Sequence, residues 1–211
     1  SDWNFFNSTY HLNSYLDGLK LYLNKMPDNK NSESINQIRK KSSILYIGCN
    51  LDKLSISKDV EKSKKPVILW NHRWEFDKNP ESFFNTLFKL KENDIDFNLA
   101  VLGESFEIYP DIFDIAKEKL KEHIVQWGYC KSGEEYKKWL QKADIVPITS
   151  IQEFFGISAV EAAHSKIYPI LPNRLSYPEI FNITKRPDIF YDNDDQLYDK
   201  LKNSIINIDK T

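Results

Sequence analysis

The sequence predicts an α/β domain built on a doubly wound parallel sheet, and three observations predict it. From Ser42 onward, short apolar runs alternate with amphipathic stretches, the pattern left by helices layered on a parallel sheet. Each strand-plus-helix repeat is about 25 to 30 residues long, the length of a right-handed βαβ unit. Glycines and polar residues follow the apolar runs, at the edge where open α/β sheets bind their ligands.

Taken in order, the elements begin with an apolar patch from Trp3 to Phe6, a cap at Asn7 or Ser8, and a helix over Tyr10 to Met26. That helix sets Tyr15, Leu16, Leu19, Tyr22 and Leu23 at helical spacing. It reads as the strand and helix remnant of a larger unit. The polar run Pro27 to Ser34 reads as a surface loop or linker. Strands are expected over Ile44 to Ile47, Val67 to Trp70, Phe97 to Leu102, Ile124 to Trp127, Ile145 to Ile148 and Tyr168 to Leu171. Helices are expected over Pro80 to Leu90, Pro110 to Lys121, Gly133 to Lys142, Ser158 to Ser165 and Tyr177 to Ile183. The acidic run at 192–195 reads as a solvated cap. The expected division is therefore 1–41 as the end of one domain with its linker, 42–190 as the main domain, and 191–211 as a C-terminal helix.

At 211 residues and 24.9 kDa the chain is long enough for one complete domain and a remainder. Its 41% hydrophobic and 28% charged residues are ordinary globular composition, and no apolar run approaches the roughly 20 residues of a spanning helix. The abrupt opening Ser1-Asp2-Trp3 carries no basic n-region or cleavage site and reads as a piece of something longer. Cys49 and Cys130 are too few and too far apart for a disulfide framework or a metal cluster, so reduced thiols and the cytoplasm are expected. With 29 basic against 31 acidic residues the net charge is −2, which supplies no field to attract a polyanion, and nucleic-acid binding is not visible in composition. The 14% aromatic content is expected in core packing, with Trp70, Trp74, Trp127 and Trp139 as core or cleft walls.

The most informative segment runs from Glu153 to Glu161. Gly156 relaxes a turn and Ser158 is placed to cap a helix whose first backbone N–H groups face the strand ends, a ready site for phosphate. Glu153 then lies just outside the helix and Glu161 about one turn inside, and carboxylates accept hydrogen bonds from vicinal hydroxyls. On pattern alone the same glutamates read equally as the solvated face of a helix. Arg73 and Lys78 sit on the loop after Trp70, where cations would stabilise a departing diphosphate, although lone basic loop residues are most often solvated.

The Glu-x7-Glu segment, the Arg73 and Lys78 pair and the glycines at strand ends resemble the retaining glycosyltransferases of the large GT4 type, with the two-domain GT-B fold. The strings Trp70 to Glu81, Val125 to Tyr129, Glu153 to Gly156 and Pro172 to Glu179 are more narrowly similar to the queuosine-tRNA mannosyltransferase family. The resemblance implies a Rossmann-like C-terminal domain with a remnant of an N-terminal domain, and a retaining transfer without metal from a nucleotide sugar, GDP-mannose in that family. It implies that Glu153 contacts sugar hydroxyls, Glu161 holds the ribose, and Arg73 and Lys78 grip the diphosphate. Backbone N–H groups at Phe155, Gly156 and Ile157 would lie near the sugar and β-phosphate, and the base against the Gly128-Tyr129-Cys130 turn. The acceptor, queuosine in tRNA, would bind through the N-terminal domain, so this portion alone would hold donor and hardly transfer it. Other nucleotide sugars, glycan or lipid acceptors, and a nucleotide-binding module without activity remain as alternatives.

The remaining candidates stay divided. His72 either touches the sugar or phosphate or hydrogen-bonds within its turn. Arg174 follows a strand end, where it either reads phosphates or acceptor or makes an ion pair. His11, His123 and His164 show no metal-ligand spacing, and no Asp-x-Asp is placed after a donor-site strand, so no metal is expected.

Overall fold

The computed structural model describes residues 2–28, 33–54 and 62–208. The N-terminal part is a small parallel pair. Strand β1 (Asn4–Phe6) leads into helix α1 (Thr9–Asn24), then α2 (Glu33–Lys40), and β2 (Ser42–Ile44) returns beside β1 with Phe6 opposite Ile44. Ser8 caps α1 by accepting a 3.0 Å hydrogen bond from the His11 N–H, and Leu12 and Leu16 bury the helix against Phe6. Of the expected polar linker, 29–32 lie outside the described residues and Glu33 and Ser34 open α2.

The main sheet begins with β3 (Val67–Trp70). It is followed by α3 (Pro80–Glu92), β4 (Asn98–Val101), α4 (Ile112–Lys119), β5 (Ile124–Trp127), α5 (Gly133–Lys142), β6 (Ile145–Pro147), α6 (Ile157–His164), β7 (Tyr168–Pro172), α7 (Tyr177–Ile180), β8 (Phe190–Tyr191) and α8 (Asp194–Asn207). All its pairings are parallel, in the order β5-β4-β3-β6-β7-β8. The chain starts at β3, steps outward through β4 and β5, then crosses back to β6 on the other side. β3 and β6 are therefore neighbours whose following loops run to opposite sides, and a crevice opens at their carboxyl ends.

Both faces of the sheet are covered, which is why β3 reads as an unbroken apolar run rather than an alternation. Ile68, Trp70, Leu99 and Val101 pack under α3, α4 and α8, while Val67, Leu69, Ala100 and Leu102 pack under α5 and α6. Trp70, Trp74 and Trp127 join the first layer, with the Trp74 ring stacked 4.4 Å from that of Phe113, and Trp139 packs on the second.

Two expectations need correction, and one strand was not expected. The run Ile44 to Ile47 is not the first strand of the main sheet, because its apolar start pairs with β1, where the Leu45 N–H still donates to the Phe6 carbonyl at 2.8 Å, and 45–50 form no strand. The strand β8 escaped notice because two apolar residues carry no period of their own; among the described residues it is an edge strand paired with β7. The helix at Tyr177 stops at Ile180, and the turn that follows takes Asn182 into the left-handed region at φ 51°. The acidic run does cap a C-terminal helix, through the Asn193 carboxamide oxygen accepting from Gln196 N–H, but Asp194 also accepts a 2.6 Å bond from the Ser82 hydroxyl.

Candidate functional site

A cavity of about 850 Å³ lies at the carboxyl ends of β3 and β6, walled by the loops after β3, β4, β5 and β6 and by the start of α6. Lys78 is its best-held charge. It ends a short 3₁₀ turn, is 9% exposed, and its Nζ donates to Asp77 Oδ2 at 3.0 Å and to Glu153 Oε2 and the Gln152 carbonyl at 3.4 Å. The two loops are further stitched by Thr149 Oγ1 donating to the Lys78 carbonyl and Ile151 N–H to that of Asp77, both at 2.8 Å. Arg73 is different: its side chain is 56% exposed on the rim and pairs with Glu75 at 3.0 Å.

Glu153 turns its other oxygen to its own loop, with Oε1 accepting from the N–H groups of Phe154 at 3.0 Å and Phe155 at 3.3 Å. The Phe155 N–H is thus occupied by protein. Gly156 supplies the N-cap of α6 at φ 92°, with no side-chain cap, so the partial positive charge of the helix N-terminus is left to the cavity. Ser158 is not the cap. Its hydroxyl lies 3.0 Å from His72 Nδ1 instead. Burial, reinforced by the charge on Lys78 and opposed by Asp77, pushes the His72 pKa down to about 3, so the imidazole is neutral at physiological pH. His72 Nε2 and Asn71 Oδ1 are buried without hydrogen-bond partners among the described residues, both on residues of the cavity wall.

Glu161 also faces the cavity and accepts a 2.7 Å bond from the Tyr136 hydroxyl. Tyr129, 68% exposed, and buried Cys130 lie on the wall after β5, while Gly128 makes their turn at φ 103° behind them. Burial and the nearby Glu135 raise the Cys130 thiol pKa, which makes it a wall rather than a nucleophile. Of the expected residues, Arg73, Lys78, Tyr129, Cys130, Glu153, Phe155, Gly156, Ile157 and Glu161 meet here. Arg174 does not line the cavity. Its guanidinium donates to the carbonyls of Ser150 (Nε 3.2 Å, Nη2 3.1 Å) and Thr149 (3.0 Å) and braces the loop after β6 from behind, with no ion pair among the described residues.

Sequence reasoning missed Asn7, Asn71, Ser158 as a partner of His72, and Tyr136. Asn71 stood in a polar run that could have flagged it; Tyr136 sits on an amphipathic helix and carried no signal. Among the described residues no group of three or more His, Cys, Asp or Glu side chains is placed to hold a metal ion, and no helix is long and apolar enough to cross a membrane.

The N-terminal pair closes one side. The Ser8 hydroxyl donates to the Phe154 carbonyl at 2.7 Å, and the His11 ring stacks on Phe154 at 4.1 Å. Glu179 accepts from Thr9 N–H at 3.0 Å, Tyr10 N–H at 3.3 Å and the Tyr46 hydroxyl at 2.9 Å, at the N-terminus of α1. Burial works to raise the Glu179 pKa, but these hydrogen bonds outweigh it and hold the carboxyl below its usual value. A lowered carboxylate pKa contributes stability above the unfolded value, about 4.3, and loses it as pH falls. Glu179→Gln should therefore cost about 1–2 kcal/mol at pH 7, with the gap to the parent narrowing below about pH 4 in urea unfolding; a gap independent of pH would contradict this account.

Comparison with known proteins follows the same division. The glycosyl transferases group 1 profile matches residues 52–210, and that of the tRNA-queuosine alpha-mannosyltransferase N-terminal region matches 1–49. A Drosophila melanogaster tRNA-queuosine alpha-mannosyltransferase is 39% identical over 189 residues, which is 86% of this chain and 50% of the fly protein. The chain thus spans half the length of that relative. Among solved structures, a glycosyltransferase from Rickettsia africae superposes with a TM-score of 0.72 at 19% identity, over 98% of this chain and 54% of that one. Anabaena HepE, solved with UDP, gives 0.71 at 11% identity, over 100% and 56%. Likeness at this identity shows the fold, a parallel sheet between helices as expected.

Proposed function

This chain belongs to the group 1 glycosyl transferases, and from that premise we propose that it is the donor-binding half of a retaining, metal-independent transferase that moves mannose from GDP-mannose to queuosine in tRNA. The observation that carries the donor site is the buried Lys78 ammonium set against Glu153, in the same cavity as the uncapped N-terminus of α6. The diphosphate lies on that helix end, with Lys78 beneath and Arg73 swinging in from the rim. Charge that develops on the departing phosphate meets positive groups already in place, which favours the transition state over the ground state. Glu153, already held by its loop and by Lys78, keeps lone pairs for sugar hydroxyls. Glu161 takes the ribose and the Tyr129-Cys130 wall the base.

Retention follows from attack on the face the phosphate leaves. The bond from the anomeric carbon to phosphate oxygen breaks, the bond to the acceptor oxygen forms on the same face, and the departing phosphate oxygen takes the acceptor proton. No protein nucleophile is required. The tRNA acceptor and a cytoplasmic setting are supported by the match of residues 1–49 and by the name of the fly relative. The small β1–β2 pair is the edge of the acceptor-binding unit, and the division between the two units falls between Ile44 and Val67.

Titration calorimetry with GDP, UDP, ADP and GDP-mannose tests the reading. GDP should bind tightest and with equal affinity in EDTA; abolition by EDTA would overturn the metal-free reading. Glu161→Ala should weaken GDP and GDP-mannose alike by about 1.5–3 kcal/mol, the worth of a hydrogen bond to a charged group. Glu153→Gln, which keeps an oxygen for the Phe154 and Phe155 N–H groups but turns its amide nitrogen toward Lys78, should weaken GDP-mannose more than GDP. Identical profiles for the two variants would remove these assignments.

A further inference from the structure

We propose that Tyr136 is a positioning residue for nucleotide recognition: it pins one oxygen of Glu161 so that the other meets the ribose hydroxyls in a fixed orientation, and thereby selects ribose over 2′-deoxyribose. The inference rests on the donor-site reading above and adds a residue to it.

Tyr136 lies on α5 and Glu161 on α6, 25 residues apart in sequence, and the two helices meet where the phenol donates to Glu161 Oε2 at 2.7 Å. The length is that of a charge-assisted bond between a hydroxyl and a carboxylate. The donor is itself held, since Asn71 Nδ2, at the end of β3, lies 3.4 Å from the Tyr136 oxygen and donates at 2.9 Å to the Ser158 carbonyl. Ser158 and Glu161 lie about one turn apart on α6. A closed circuit of hydrogen bonds therefore joins the strand end, α5 and the first turn of α6. Burial, with the adjacent charge of Glu161, raises the Tyr136 pKa, so the phenol stays protonated and can only donate to the carboxylate.

A carboxylate accepts only, and one of its two oxygens is taken here. Oε1 has no donor among the described residues, and Glu161 lines the cavity. With Tyr136 in place the carboxylate cannot rotate to follow a ligand, so little side-chain freedom is lost on binding and a ribose lacking a hydroxyl cannot be accommodated by reorientation. Tyr136→Phe removes one oxygen and keeps the ring that packs against Leu140 and its neighbours.

The test compares whichever of GDP, UDP and ADP binds tightest with its 2′-deoxy form, on the full-length protein. The parent should prefer the ribonucleotide. Tyr136→Phe should lower ribonucleotide affinity about 10-fold and leave the deoxynucleotide nearly unchanged, so the preference collapses by the same factor. A variant that loses equal affinity for both, with a lowered Tm, would make Tyr136 a packing residue only and overturn the inference. A parent that binds neither form would overturn the donor-site reading itself, and one that binds both equally would overturn this inference while leaving that reading intact.

Discussion

Lys78→Ala should lower turnover of the full-length transferase by about 10²- to 10³-fold, the range for removing one preorganised group that stabilises charge in a transition state. The expectation follows from place rather than from charge alone. Lys78 is buried, its backbone carbonyl is tied to Thr149, and its ammonium is already oriented by Asp77 and Glu153, so little reorganisation is needed when charge develops. Arg73, exposed on the rim, should matter less, and Arg73→Ala should weaken diphosphate binding more than it lowers turnover. Lys78→Arg restores the charge with a longer, planar group and should recover only part of the rate. Steady-state kinetics, with thermal unfolding as a control for folding, decide the matter. Wild-type turnover in Lys78→Ala would remove the residue from the reaction.

Gly103→Ala should be the most destabilising small substitution in the molecule, by about 3 kcal/mol or more, or roughly 6–12 °C in Tm for a chain of this size. At φ 104° an alanine is strained, and its Cβ would lie 1.9 Å from the His72 carbonyl oxygen, a backbone atom that also accepts from Trp70 Nε1 and cannot move alone. The loops after β3 and β4 would have to part, and the cavity wall with them. Two other glycines separate strain from collision. Gly128, at φ 103° with open space within 4 Å of the position a Cβ would take, should show the backbone strain alone, about 1–2 kcal/mol. Gly156, where a Cβ would meet the buried Tyr177 ring at 2.8 Å, should fall between them. Denaturant unfolding of the three alanine variants gives the order, and equal losses would show that collision adds nothing to strain.

The sequence by itself determined the main sheet and where to look on it. β3 begins and ends where its apolar run does, since a strand covered on both faces admits few polar residues, and the half-exposed edge strand β5 and the helix α5 also keep their expected limits, with Ser132 as the cap of α5. The strand-end rule then brought nine of the eleven expected site residues to one cavity, because in a parallel sheet all the carboxyl ends share an edge. Family resemblance, carried by strings of residues rather than by periodicity, pointed to the chemistry. Tertiary structure alone decided the rest. Whether Ile44 joins the large sheet or the small pair depends on which strand lies beside it. Arg174 turns to two carbonyls of the β6 loop, Ser158 to a histidine 86 residues away, and Glu161 to a tyrosine on another helix. Local pattern records which face of an element is buried; a hydrogen bond between elements depends on distances that only packing sets, and so leaves no periodic trace in the chain.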